Sequence, residues 1–240
     1  MKVVISQSMF FPWVGFLEQI RLADVFVYYD DVQFSKGSFT NRVQLKTGKG
    51  RSWLTVPLEN LHLGQCINEV SIAPSVKWKE RHLKLLMESL EGTTFFDDAL
   101  ELARKVYERT YPNIGTLARA SMMALADYFG LTGEKTFIDV EQLQIVGNSS
   151  DRVLEIVKRL SGTTYITGLG ALKYLEHEKF VAAGVNVRYM QYQCKPYPQM
   201  HGEFNPYVSG LDLVANCGRG GARFICSETI DWKELIYESR

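Results

Sequence analysis

Asp30 and Asp31 stand side by side at the end of an apolar run. The basic residues beyond them, Lys36, Arg42, Lys46, Lys49 and Arg51, are met by no acid before Glu59. A carboxylate at a strand end suits general-base work or the holding of an ammonium group, and grouped guanidinium and ammonium groups suit phosphate or carboxylate. Alternation along a strand sends Asp30 and Asp31 to opposite faces, so only one can serve a given pocket. The plainer alternative is that both simply pair with Lys36 and Arg42. These two cations are interleaved with Ser35, Ser38, Thr40 and Asn41, short donors for an anion, and a phosphorylated small molecule fits that set better than a polymer. Lys46, Lys49 and Arg51 read equally well as cations guarding a solvated hairpin edge.

A second set lies late in the chain. His201 and Glu203 sit two apart in the loop KPYPQMHGEFNPY, close to Asn205, and His201 is the best general acid–base candidate among the histidines. This loop is expected to fold back over the ligand crevice and bring His201 or Glu203 to polar groups of segment 30–42. Asn148-Ser149-Ser150-Asp151-Arg152 opens a helix, where free N–H groups and a hydroxyl make either an ordinary N-cap, from Ser149 or Ser150, or an anion site. Gly168-Leu169-Gly170 permits close backbone approach to a ligand. Ala171, Leu172 and Lys173 follow where a dinucleotide fingerprint needs a third glycine, so the motif makes no case for NAD. Neither His-x-x-x-His nor a cysteine pair occurs, so no metal site is expected and no cofactor is identified. Cys217 reads as a buried helix-end thiol.

The elements that must position these groups follow from periodicity. Residues 3–6, a polar-aromatic turn through Gln7, Pro12, Trp13 and Gly15, a helix at 16–23 and a second apolar run at 24–29 make a βαβ unit. Ligands of open α/β sheets lie beyond the carboxyl ends of the strands, which here are segments 7–15 and 30–42, with Gln7, Trp13 and Gln33 among their polar and aromatic groups. Gln7, Asp31 and Gly168 are therefore expected to line one crevice. A hairpin is expected at 43–57 across the KTGKGR turn, and amphipathic stripes place helices at 78–90, around 102–107 and at 114–129. Strands at 136–140, 164–167 and 185–192 alternate with helices at 150–160 and 171–183, which argues a mainly parallel sheet. The fold class is thus α/β and Rossmann-like, a single domain over 1–240 with the hairpin and a helical segment near 76–130 inserted.

Composition narrows the function classes. With 240 residues, 46% apolar and 22% charged, the chain can bury a substantial core. Its 27 basic and 27 acidic side chains balance, so net charge gives no reason for nucleic acid as main partner. Cys66, Cys194, Cys217 and Cys226 form no disulfide framework, and no stretch approaches the ~18 apolar residues of a spanning helix. A soluble, cytoplasmic chain is expected.

Several motifs together resemble the WbqC-like proteins of bacterial polysaccharide gene clusters. They are Gln7-x-x-x-x-Pro12-Trp13-x-Gly15-Phe16, Asp24-x-Phe26-Val27, Asp30-Asp31-Val32-Gln33-Phe34, Asn41-Arg42, Trp53-Leu54-Thr55-Val56-Pro57, Ser149-x-Asp151-Arg152, Gly168 with Gly170, Tyr197-Pro198-Gln199, Gly202-Glu203-Phe204, and Leu211-Asp212-Leu213-x-x-Asn216-Cys217-Gly218. Where many members look like His-Gln-Pro, this chain has Ser6-Gln7-Ser8, so no histidine is offered there. The resemblance implies transfer of an amino acid, glycine, onto an amino sugar during O-antigen or capsule synthesis. The first unit and its D-x-x-Q-F end are also similar to pantothenate-synthetase-type nucleotidyltransferases, although the HxGH histidines are replaced by Trp13-x-Gly15-Phe16.

The expectation is an aminoacyl (glycyl) or acyl transferase acting on a nucleotide-linked amino sugar, with an acyl or aminoacyl carrier as a further partner. Lys36 and Arg42 hold a diphosphate or activated donor, the Ser149 helix start holds a second anion, and His201, Asp31 or Glu203 takes the proton of the attacking amine. Gln7, Trp13, Asp30, Gln33, Asn41, Asp151, Arg152, Gly168, Gly170 and Asn205 complete the substrate-binding set. Two other readings stay open: a non-catalytic sugar-nucleotide or carrier-binding protein, and an ATP-dependent nucleotidyltransferase.

Overall fold

Val3, Val4, Phe26 and Val27 are shielded from solvent on both faces of the sheet they form, which is why the two strands read as unbroken apolar runs. The computed structural model describes residues 1–238. Strand β1 (Lys2–Ser6), helix α1 (Val14–Leu22) and strand β2 (Val25–Tyr28) form the βαβ unit, paired in parallel from Val3 with Val25 to Ser6 with Tyr28. Strands β3 (Arg42–Thr47) and β4 (Gly50–Thr55) are the expected hairpin, and β5 (Leu58–Glu59) with β6 (Ser71–Ile72) makes a second, minimal one. Helices α2 (Lys77–Leu90), α3 (Phe96–Tyr107) and α4 (Ile114–Tyr128) follow. The chain then returns to the sheet through β7 (Thr136–Asp139), α5 (Ser149–Arg159), β8 (Thr164–Thr167), α6 (His177–Ala182), β9 (Asn186–Tyr192), α7 (Gly210–Cys217), β10 (Ser227–Asp231) and α8 (Trp232–Glu238).

The six-stranded sheet has the order β10-β9-β8-β1-β2-β7, parallel throughout except for β10 against β9. From β1 the chain builds outward through β2 and β7, then crosses to β1's other side for β8, β9 and β10. The winding reverses between β1 and β8, the switch point where doubly wound sheets place their ligands. The Rossmann-like, mainly parallel expectation holds.

Two apolar clusters cover the two faces. Val4, Phe26 and Ile166 pack on α1 and α4, and this cluster runs on through the hairpin (Val43, Leu45, Leu54) to Leu86 of α2 and Leu100 of α3. Val3, Ile5, Val25, Val27 and Tyr165 pack instead on Val153, Ile156 and Val157 of α5 and Phe180 of α6. Each fully buried side chain of this kind contributes about 1.5–3 kcal/mol. Among the described residues no helix is long and apolar enough to cross a membrane.

Local differences from the sequence reading have local causes. The helix expected over 171–183 is broken into a 3₁₀ turn at Leu169–Lys173 and the short α6, because Leu175 is buried and the Glu176 N–H is taken by Ser150 Oγ at 3.0 Å. The N-cap of α5 is Asn148, not a serine, and no side chain caps it. Strand β10 and α8 lack a clear periodic signal in the sequence. Ile230 alone of the edge strand is buried, and helix α8 is brought in by Trp232 stacking on His177 at 4.5 Å between ring centres.

Candidate functional site

All five parallel strands end on one edge, so Gln7 and Gly168 leave neighbouring strands side by side at the switch point. The rim there is open. A Cβ built on Gly168 or Gly170 meets nothing within 4 Å, and Leu169 between them is 57% exposed.

Beyond β2 the pleat divides the two aspartates as expected. Asp30 continues the row of Phe26 and Tyr28 towards α4, and Asp31 continues the row of Val27 and Tyr29 towards α5. Asp30 is fully buried, receives the Ser8 N–H (2.8 Å), the Ser8 hydroxyl (2.6 Å) and Arg119 Nε (2.6 Å), and lies by the first turn of α4 near Gly115. Arg119 also reaches Asp139 at the end of β7 and lies 4.7 Å from the centre of the Tyr28 ring. Burial opposes the Arg119 charge, but its bonds to Asp139 and Asp30 outweigh that and hold it protonated; burial also pushes the Tyr28 hydroxyl up to about 12.

On the other face Arg152 grips both oxygens of Asp31 (Nη1 to Oδ1 3.1 Å, Nη2 to Oδ2) and lies 5.0 Å from the Tyr29 ring centre. The hydrogen bond to Asp31 raises the Arg152 pKa, and burial raises that of Tyr29, which also feels the hydroxyl of the exposed Tyr174 beyond Gly170. The Cys66 thiol donates to the Asp31 carbonyl at 3.4 Å, and burial pushes its pKa up. Tyr29, Asp31, Cys66, Arg152 and Tyr174 therefore form one polar patch beside the open rim. Among the described residues no group of three or more His, Cys, Asp or Glu is placed to share a metal ion.

The cations that pair with Asp30 and Asp31 are thus Arg119 and Arg152, not the neighbours Lys36 and Arg42. Arg42 turns into the hairpin, donating from Nε and Nη2 to the Gly37 carbonyl (3.0 and 2.6 Å) and lying 4.3 Å from the Trp53 ring centre. Asn41 is buried with its amide on the Val56 carbonyl (3.0 Å), whereas Lys36 and Gln33 are exposed. At the start of α5, Ser149 takes a left-handed conformation (φ 50) and is exposed, while Asp151 pairs with Lys179 at 2.7 Å. Trp13 lies against Tyr192 and Tyr207, with ring centres 5.5 and 5.4 Å away.

The late loop lands elsewhere than expected. His201 donates from Nε2 to the Ser89 carbonyl on α2 (2.9 Å), the Glu203 side chain is exposed, and among the described residues neither hydrogen-bonds to segment 30–42. The loop is drawn instead onto β3 by Lys46, whose ammonium donates to Gln199 Oε1 (3.2 Å), Gly202 O (3.1 Å) and Glu203 O (2.6 Å). Asn205 exchanges two bonds with the Gln199 side chain (2.8 and 3.0 Å). Lys46 is only 6% exposed, against the solvated-hairpin reading, and burial lowers its pKa.

Arg119, Asp139 and Asp212 escaped the sequence reading as site residues. Arg119 sits on a helix whose stripe announces only core, and its aspartates come from other strands. Asp212 did carry a signal: an acid inside the apolar run Leu211 to Val214 must be buried and needs partners.

The chain is 28% identical over 220 residues to the Uncharacterized protein Rv1507c of Mycobacterium tuberculosis (strain ATCC 25618 / H37Rv), covering 90% of this chain and 94% of that protein. No solved structure matches it. The model of the WbqC-like protein family matches residues 7–223, and the chain belongs to that family.

Proposed function

We propose that this protein is a cytoplasmic aminoacyl (glycyl) or acyl transferase acting on a nucleotide-linked amino sugar in cell-surface polysaccharide synthesis. Family membership supports the pathway. The observation that carries the site is the convergence of Gln7, the Asp31–Arg152 pair and the open Gly168–Gly170 rim at the switch point of a doubly wound sheet. There the exposed Ser149 start of α5 and the edge of Arg152 face the diphosphate, and Trp13 lies toward the sugar or base. Lys36 serves as a mobile phosphate contact. Asp30 keeps Ser8 and the turn after β1 in place. An attacking amine must lose its proton; of the groups proposed for that step Asp31 stands at this edge, whereas His201, held on the Ser89 carbonyl, and Glu203 reach it only if the late loop moves.

Calorimetric titration with UDP- and dTDP-linked amino sugars tests the reading. Arg152→Ala should weaken binding by about 1.5–3 kcal/mol, the range for a hydrogen bond to a charged group, and Lys49→Ala should leave it unchanged. Arg42→Ala is the companion variant that weighs the hairpin cations against the edge. Equal affinities for wild type and Arg152→Ala would remove the phosphate site from this edge. ATP-dependent pyrophosphate release without acyl transfer would instead favour the nucleotidyltransferase reading.

A further inference from the structure

Tyr197, Gln199, Asp212 and Asn216, which stand in two late sequence motifs, meet Lys46 of β3 in one buried place where loop 194–207 lies against β3 and α7. Tyr197 is 5% exposed, Lys46 6% and Asp212 1%. All three donors of the Lys46 ammonium go to loop oxygens, and no ion pair joins it to a carboxylate among the described residues. Asp212 likewise has no cation in direct contact. It takes Asn216 Nδ2 at 3.3 Å, and the Lys46 charge reaches it only at longer range, with Gln199 between. Two buried polar atoms here lack hydrogen-bond partners: the Tyr197 hydroxyl, which faces Asp212 outside bonding geometry, and Gln44 Oε1, two residues before Lys46 on the same face of β3.

A purely structural strut would satisfy these groups, since unpaired polar atoms in a low-dielectric interior are costly. The cover is pinned at its start, where Tyr197 packs on Phe224 (ring centres 5.7 Å apart) and the Lys195 ammonium donates to Cys226 Sγ (3.2 Å). Beyond Gln199 it is tied by Lys46, by His201 on the Ser89 carbonyl, by Phe204 against the core, and by Tyr207, which rests on Trp13 while remaining 50% exposed.

We propose that segment 200–207 is a lid latched by Lys46 through Gly202 and Glu203, and that Asp212 beneath it, with the core-anchored Tyr197 beside it, is an acid–base pair for a nucleophilic N–H or O–H group admitted when the lid lifts. The substrate N–H or O–H bond breaks as an O–H bond forms on the Asp212 carboxylate, and the proton then leaves Asp212 for solvent through the opened lid. The titratable groups facing Asp212 are Lys46 from β3 and Tyr197 from the loop, with Cys217 beside it on α7. Burial raises the Asp212 carboxyl to about 6, partly offset by Tyr197, Lys46, Gln199 and Asn216, a value suited to accepting a proton near neutrality. The nature of the nucleophile rests on the transferase reading; the lid and the carboxyl do not.

Hydrogen exchange across segment 200–207, combined with carboxyl-carbon NMR of Asp212, tests the proposal. Lys46→Met should speed loop exchange roughly tenfold or more while β1 and β2 stay protected, and Lys46→Arg should do so less. Unchanged loop exchange in Lys46→Met overturns the latch. Should that variant fail to fold, His201→Ala, which cuts the tie to Ser89, must also loosen the loop, and full protection there overturns the lid. Asp212 should titrate near pH 6 and higher still in Lys46→Met; titration at an ordinary carboxylate value overturns the acid–base pair. So does an Asp212→Asn enzyme with wild-type kcat, because general-base loss should lower kcat about 10²–10⁴-fold with KM for the nucleotide sugar unchanged. A wild type inactive on every amino-sugar nucleotide refutes the transferase reading alone, and exchange and titration still decide the lid and the carboxyl.

Discussion

Asp30 and Asp31 are adjacent in the chain yet deliver their carboxylates to opposite faces of the sheet, Asp30 to Arg119 of α4 and Asp31 to Arg152 of α5. The two pairs differ in exposure: the Asp30 side chain is 0% exposed and that of Asp31 22%. Removing one partner of a buried pair strands an uncompensated charge, whereas a solvated one is screened. Arg119→Met should therefore cost about 3–5 kcal/mol of folding stability, and Arg152→Met, which strands the more accessible Asp31 but also removes a buried guanidinium from the Ile145 carbonyl, about 1–3 kcal/mol. Urea denaturation of the two variants checks this, and equal losses would mean that Asp30 is less shielded than its surroundings indicate.

Gly15 offers a second test at the same edge. A Cβ there would stand 2.0 Å from the Trp13 ring, so Gly15→Ala must push the indole off the first turn of α1. Overpacking of this kind costs about 1–3 kcal/mol. The Trp13 contacts with Tyr192 and Tyr207 should be disturbed, and a tryptophan emission spectrum identical to wild type would contradict the placement.

His82 makes stability depend on pH in a defined direction. Its Nε2 donates to the Thr55 carbonyl (3.1 Å), Nδ1 accepts from the Tyr107 hydroxyl (3.0 Å), and burial lowers its pKa from 6.5 to about 4. The unfolded chain binds this proton more readily, so the contribution is complete above pH 6.5 and is lost as pH falls towards 4, by about 3 kcal/mol. His82→Gln should remove that acid-side loss in denaturation midpoints measured from pH 4 to 7.

Asp212 acts with the opposite sign. Its folded value of about 6 lies above the ordinary 3.8, so the folded state holds the extra proton, and the stabilisation present below pH 4 disappears as pH rises through 6. Asp212→Asn cannot ionise and should gain about 3 kcal/mol relative to wild type between pH 4 and pH 7. In the wild type the His82 and Asp212 effects oppose each other over the same range. Each is therefore best measured in the variant that lacks the other, and a flat difference for Asp212→Asn would place its carboxyl in water.

Local pattern was enough for the frame. The apolar runs of β1 and β2, the Gly-rich turn between β3 and β4, and the stripes of α2 and α4 depend on neighbours within a few residues, and β alternation alone assigned Asp30 and Asp31 to opposite faces. Strand order followed less directly, and β10 with α8 not at all, because a mixed edge strand is stabilised by its partner rather than by its own pattern. The partners of the charged groups were decided only by tertiary structure. Arg119 lies 89 residues from Asp30, Arg152 lies 121 from Asp31, and Glu203 lies 157 from Lys46. The nearer cations Lys36 and Arg42 lost Asp30 and Asp31 because a strand end buried between helices is reached from those helices. The hairpin meanwhile turns Arg42 onto Gly37 and Trp53. Composition could show that Lys46 and Asp212 exist, but only the packing of the late loop against β3 and α7 could bury them together.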